Sequence, residues 1–205
     1  MEINAECVKR LREDTGAGVM DCKKALQESK GVFEEARKIL RKRGAAVAAK
    51  KAARVAKEGC IGHYIHMGAK IGVLLELVCE TDFVARNPQF QELARDLAMH
   101  VAAMSPRFLS RETVPPQVLE EEKEILREQT RNLGKPEPVI EKIVEGKLGK
   151  FFEESCLLEQ PFVRDQERSV LEIVQDAVAK FGEKIEVRRF IRYVVGEAES
   201  PRTSG

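Results

Sequence analysis

The chain has 205 residues and a mass of 23.1 kDa, enough for one large or two small domains whose core needs neither disulfides nor a structural metal. Apolar residues make up 43% and charged residues 34%, a balance too apolar for intrinsic disorder and suited to a helix-rich protein. No window approaches the roughly 18 uninterrupted apolar residues of a membrane span, and Met1-Glu2-Ile3-Asn4 begins no basic-then-apolar leader, so a cytoplasmic location without membrane contact is expected. Cys7, Cys22, Cys60, Cys79 and Cys156 are odd in number and never form a CxxC pair. They read as small buried hydrophobes, not as a disulfide framework or zinc ribbon.

The net charge of +1 conceals an asymmetry: residues 1–57 hold 15 Lys and Arg against 8 Asp and Glu, so the remainder is acidic. Such a split suggests two modules, the basic one facing an acidic partner or nucleic acid.

Helical periodicity opens the chain, with Cys7, Val8 and Leu11 on one face before Thr15-Gly16-Ala17-Gly18 interrupts it. A second helix is predicted from Val19, with Asp21 in its first turn and Gly31 closing it, and a third carries Val32, Phe33, Ala36, Ile39 and Leu40. Three short amphipathic helices bury a shared core only as a compact bundle, assigned to residues 1–43. Arg41 to Lys57 holds seven basic residues, no acidic one and many alanines, which predicts a helical, solvated connector, with a linker proper over 44–57.

At Glu58-Gly59 the period changes from 3.6 to 2. Ile61, His63 and Ile65 alternate with Gly62, Tyr64 and His66, Met67-Gly68-Ala69 reads as a turn, and Ile71 to Val78 as a second strand. After Cys79-Glu80-Thr81-Asp82-Phe83-Val84-Ala85-Arg86-Asn87-Pro88, the residues Phe90, Leu93, Leu97, His100, Val101 and Met104 mark a helix ended by Pro106. Helices from Pro116 to about Leu133 and from Glu137 to about Phe152, separated by Gly134-Lys135-Pro136, are expected to be amphipathic covers. A further helix from about Ser169 to Phe181 stops at Gly182, and Ile185 to Val195 is a last strand. The fold class expected is therefore α+β, with a small antiparallel three-stranded sheet covered by helices over 58–196. A disordered tail is expected over 197–205.

Catalytic and metal chemistry find little support. Cys60, His63 and His66 are three apart, which puts alternate members on opposite faces of a strand. No nucleophile elbow frames a Ser or Cys, and Gly16-Ala17-Gly18 joins two helices with no GKS or GKT after it. No catalytic residue, metal or cofactor is assigned, and the chain is expected not to be an enzyme. The run Arg41 to Lys57 has the charge to grip phosphates, but no aromatic lies within it to stack on bases, so a solvated or protein-facing helix is favoured over nucleic acid.

Glu80-Thr81-Asp82-Phe83-Val84 sets a large aromatic among charges in a strand-to-helix connection. In one reading Thr81 or Asp82 caps the helix and Phe83 tucks inward as a hydrophobic staple. In the other Phe83 is an exposed interface anchor. His100 falls on the apolar face of its helix, where a buried structural role is expected.

Leu11-Arg12-Glu13-Asp14-Thr15-Gly16-Ala17-Gly18-Val19-Met20-Asp21-Cys22-Lys23-Lys24-Ala25-Leu26 and Thr81-Asp82-Phe83-Val84-Ala85-Arg86-Asn87 resemble the signature stretches of bacterial translation elongation factor Ts. His66 to Leu74, Met99 to Ala103, Ile143 to Lys147 and Glu159 to Val163 agree in order, so the resemblance covers residues 1 to about 196. The chain is similar to a short form with a single core subdomain, and the resemblance implies a homodimer that supplies the missing half. It further implies a nucleotide exchange factor that binds elongation factor Tu, GDP-bound or nucleotide-free, and releases GDP without changing any covalent bond. On this resemblance the N-terminal bundle is of ubiquitin-associated (UBA) type. Val19, Met20 and Asp21, with Arg12 nearby, would dock on the nucleotide-binding domain of the partner. Thr81, Asp82, Phe83 and Val84 would disturb its magnesium site, Phe83 as an apolar wedge. His66 matches a residue beside a second contact region, although a strand histidine with a satisfied hydrogen bond is an equal reading. A basic RNA- or ribosome-associated module stays open as the alternative function, and direct nucleic-acid binding is not expected under the leading one.

Overall fold

A computed structural model of the chain describes residues 4–131 and 136–197. The stop expected at Gly134-Lys135 and the tail beyond Glu197 lie outside the described residues. The described residues form an α+β protein with eight α-helices, a three-stranded antiparallel sheet and a small two-stranded one. They fall into two compact units, one made of Met1–Gly62, Leu75–Asp96 and Leu171–Arg189, the other of His63–Leu74, Leu97–Val170 and Phe190–Gly205.

In the first unit, α1 (Ala5–Thr15) starts where the Asn4 side chain accepts the Cys7 N–H at 2.9 Å. Helices α2 (Val19–Glu28) and α3 (Phe33–Lys51) pack with it around Val8, Leu11, Cys22, Ala25, Leu26, Ala36 and Leu40. The boundary expected after residue 43 falls inside α3, one continuous helix as far as Lys51. Gly44 is buried close to Asp176 and Ala179 of α8 (Val170–Phe181), and Arg41 pairs with Glu172 of the same helix at 3.5 Å. A Cβ added at Gly44 would stand 3.3 Å from the Asp176 carboxylate, so glycine eases that close approach.

Strands β1 (Glu58–Ile65), β2 (Ile71–Cys79) and β5 (Glu186–Val194) form the sheet in the order β1-β2-β5. The β1–β2 turn is closed by His66 N–H to the Ile71 carbonyl at 2.9 Å. Gly62 sits against α5 (Pro88–Met104), where an added Cβ would stand 2.3 Å from the Ala94 carbonyl oxygen. Only glycine lets strand and helix meet that closely.

In the second unit, α6 (Pro116–Arg131) and α7 (Glu137–Ser155) are the two helices expected to be amphipathic covers. They pair with each other as a helical hairpin around Leu126, Ile140, Val144 and Leu148. Its base closes on Phe108, Val114, Phe151 and Cys156. Each helix spends its apolar stripe on the other, so sequence periodicity reports an amphipathic face but not what it faces. A short hairpin absent from the sequence reading, β3 (Pro161–Phe162) with β4 (Asp165–Ser169), follows.

Candidate functional site

The segment after β2 combines exposure with rigidity. Helix α4 (Asp82–Ala85) is a single turn whose Val84 and Ala85 are buried, which leaves Asp82 and Phe83 facing outward. Phe83 is 80% exposed. Thr81 caps the turn as expected, its Oγ1 accepting the Val84 N–H at 3.4 Å, but the inward staple expected in one reading of Phe83 is not formed. Asn87 restarts the chain, its side chain accepting the Gln89 N–H at 2.9 Å ahead of Pro88 at the head of α5. Asp82 pairs with Arg86 at 3.1 Å, a solvent-exposed contact of small energetic weight.

Two carboxylates tie this turn and the α8–β5 connection to each other. Glu183, in the α8–β5 connection, accepts hydrogen bonds from the Glu80 N–H at 3.1 Å, the Thr81 N–H at 3.0 Å and the Thr81 hydroxyl at 2.6 Å. Glu80 accepts the Lys184 N–H at 2.6 Å and lies 3.2 Å from Arg54. The Lys184 amide, and after it Arg54, hold the Glu80 carboxyl below the usual carboxylate range. Behind the turn the Cys79 thiol donates to the Thr81 carbonyl at 3.2 Å, and burial pushes its pKa up to about 11. Glu183, Glu80 and Arg54 carry no local sequence signal for this role: Glu183 stands some hundred residues from Thr81.

A second exposed apolar point lies at the α1–α2 corner. Gly16, at φ 68°, ends α1 with its N–H on the Arg12 carbonyl at 2.8 Å. Val19 and Met20, 49% and 61% exposed, open α2 together with exposed Asp21, and Arg12 is exposed in the last turn of α1. Cys22 is fully buried beneath them with its Sγ 3.7 Å from the Ala17 carbonyl, and burial raises its pKa. His66 is exposed at the β1–β2 turn, its Nδ1 3.3 Å from the Tyr64 hydroxyl.

His100 takes the buried role expected of it. Its Nδ1 accepts the Val163 N–H at 3.1 Å, so the ring proton sits on Nε2, which donates to Gln160 Oε1 at 3.0 Å. Gln160 in turn donates to the Glu154 carbonyl at 2.7 Å. Burial lowers the His100 pKa, as a ring held in this neutral form requires.

Among the described residues no three His, Cys, Asp or Glu are grouped to hold a metal ion, and no helix is long and apolar enough to cross a membrane. What the residues do present is exposed apolar tips on rigid supports, an arrangement shared by protein-docking surfaces. Residues 2–197 match the family model for elongation factor Ts. The chain is 60% identical to elongation factor Ts of Thermosipho melanesiensis over 95% of its own length and all of that protein. It is 59% identical to that of Fervidobacterium nodosum over 96% of its length and all of the relative. With that of Desulforamulus reducens the identity is 55%, over 98% of this chain and 93% of the relative. The chain belongs to the elongation factor Ts family, proteins of translation elongation.

Proposed function

We propose that this chain is a guanine nucleotide exchange factor for elongation factor Tu, acting in the cytoplasm during translation elongation and changing no covalent bond. The observation that carries the reading is Phe83, 80% exposed on a turn whose first amides and capping hydroxyl are held by the Glu183 carboxylate, in a chain of this family. A buried-size aromatic held in water on a rigid support gains most by entering a partner. Phe83 acts as the apolar wedge, while Thr81, Asp82 and Val84 fix its direction and bring a carboxylate toward the partner's magnesium and phosphate site. Disturbing the ligands of that Mg²⁺ uncovers the phosphate charges and loosens GDP. By reciprocity GDP weakens this protein's binding by the same factor, so the complex holding all three is transient.

Val19, Met20, Asp21 and Arg12 form the second contact, presented by a bundle of UBA type, and His66 the third. A homodimer, giving a 2:2 complex, has support in the second unit: Ile65 and Tyr193 are 61% and 55% exposed on strands, with Leu74 also exposed. Apolar strand residues of this kind need a cover. Four of the seven basic residues from Arg41 to Lys57 have partners within the chain: Arg41 with Glu172, Arg43 with Glu28, Arg54 with Glu80 and Lys51 with the Gly182 carbonyl. That arrangement favours a protein-facing module over an RNA-binding one.

The deciding experiment is stopped-flow release of a fluorescent GDP analogue from elongation factor Tu, with wild type, Phe83→Ala and Asp82→Ala. Strong acceleration by wild type, blunted in both variants, is expected. An unchanged release rate with wild type would overturn the assignment.

A further inference from the structure

We infer that Glu183 is a positioning residue for nucleotide exchange: its carboxylate, from the α8–β5 connection, sets the geometry of the Thr81–Ala85 turn and so the direction of Phe83. The inference rests on the exchange reading of that turn and adds to it a residue outside both signature stretches.

The geometry forms a chain of dependencies. The Thr81 hydroxyl has one proton and two lone pairs. At 2.6 Å from Glu183 Oε1, that proton is committed to the carboxylate. A lone pair is thereby left facing the Val84 N–H, the only side-chain cap of α4. Glu183 Oε2 meanwhile accepts from two successive backbone amides, those of Glu80 and Thr81, at 3.1 and 3.0 Å. Three donors on one carboxylate, each strengthened by its charge, fix the strand exit, the cap and the first peptide of the turn together.

A one-turn helix has no internal cooperativity to keep its shape. Val84 and Ala85 anchor it by burial and turn Phe83 outward. The Glu183 contacts fix the strand exit and the cap from which the turn starts. The bond runs both ways, since Glu80 reaches back to the Lys184 N–H at 2.6 Å, so each loop supplies the carboxylate that orders the other. Lys51, at the end of α3, donates to the Gly182 carbonyl at 2.5 Å and steadies the base of the same connection. An aromatic wedge ordered before the encounter spends none of its binding energy on being ordered during it. Its loss should therefore appear in the maximal rate of GDP release more than in half-saturation.

The test uses the full chain with Glu183→Ala and Glu183→Gln, each alone and combined with Phe83→Ala. Amide hydrogen exchange of the free protein reads the turn directly. Loss of protection at Thr81 and Val84 is expected in Glu183→Ala, with a lesser loss in Glu183→Gln, which keeps one acceptor. In the release assay the maximal acceleration should fall on the order of tenfold in Glu183→Ala, about what one charge-assisted hydrogen bond is worth. Added to Phe83→Ala, the same change should cost nothing further, because it acts through Phe83. A variant that merely unfolds would lose activity in both backgrounds and would show a lowered thermal midpoint; Glu183→Gln, with its packing kept, guards against that outcome. Unchanged protection at Val84 in Glu183→Ala overturns the positioning role, as does full additivity with Phe83→Ala. If Phe83→Ala itself leaves release at the wild-type rate, the exchange reading of the turn fails first. If Phe83→Ala slows release while Glu183→Ala does not, only the positioning role fails.

Discussion

Two regions built from family-like stretches of this chain end in opposite situations. Thr81 to Asn87 lifts an aromatic into water on a clamped turn, whereas Met99 to Ala103 and Glu159 to Val163 turn inward and meet, His100 fully buried on Gln160 and the Val163 amide. In the first region polar groups serve to hold an apolar one outside. In the second they saturate one another so that a histidine and an amide can lie in the core, where an unpaired donor or acceptor costs about 1–3 kcal/mol. A recognisable sequence stretch is thus no guide by itself to whether its residues touch a partner or each other; the hydrogen-bond partners decide.

The contrast is open to direct attack. Its largest expected effect is on the buried side: Gln160→Ala strands the His100 Nε2–H and the Glu154 carbonyl. It should cost about 3 kcal/mol, lowering the thermal midpoint by roughly 10 °C, while the folded fraction keeps its activity. A calorimetric midpoint within a degree of wild type would break the comparison. On the exposed side, Phe83→Ala should leave the midpoint nearly unchanged yet remove about 2 kcal/mol of wedge interaction, close to a thirtyfold loss in the maximal acceleration of GDP release.

A smaller effect follows from protonation. The folded pKa of His100 lies below its ordinary 6.5, with burial as the leading cause. The unfolded chain therefore takes up the proton first. The stability that His100 contributes is fully present above about pH 6.5 and is lost as pH falls through that value toward the folded pKa. Midpoints recorded at about pH 7.5 and about pH 5.5 should differ less in His100→Gln than in wild type. The smallest difference separates nothing between the two regions, and that is its use. Cys79 beneath the exposed turn and Cys156 beside the buried network are each raised by burial to about 11, so both should resist a thiol reagent at about pH 8 until denaturant is added. Rapid labelling of Cys79 in the native protein would mean that the turn is not rigid.

Much of the architecture was legible in local pattern. The periods of α1 to α3, the switch to alternation at Glu58, the Met67-Gly68-Ala69 turn and the stop at Gly182 are set by side chains within a few residues of one another. Thr81 as a cap was legible for the same reason. What was not legible is long-range. The docking of α3 on α8 depends on Gly44 meeting Asp176 and Ala179. The pairing of α6 with α7 depends on two stripes choosing each other, and β3–β4 is too short to show a period. Phe83 had two local solutions, inward staple and outward tip. Only the burial of Val84 and Ala85, with Glu183 below the turn, selected the second.

The sequence by itself therefore determined which residues could cap, turn, alternate or bury, because those preferences act over one or two turns of chain. The tertiary structure alone decided which of them meet. It brought Glu183 to Thr81 across about a hundred residues and Gln160 to His100 across 60. Hydrogen-bond geometry at such separations is a property of the packed fold and leaves no trace in neighbouring residues.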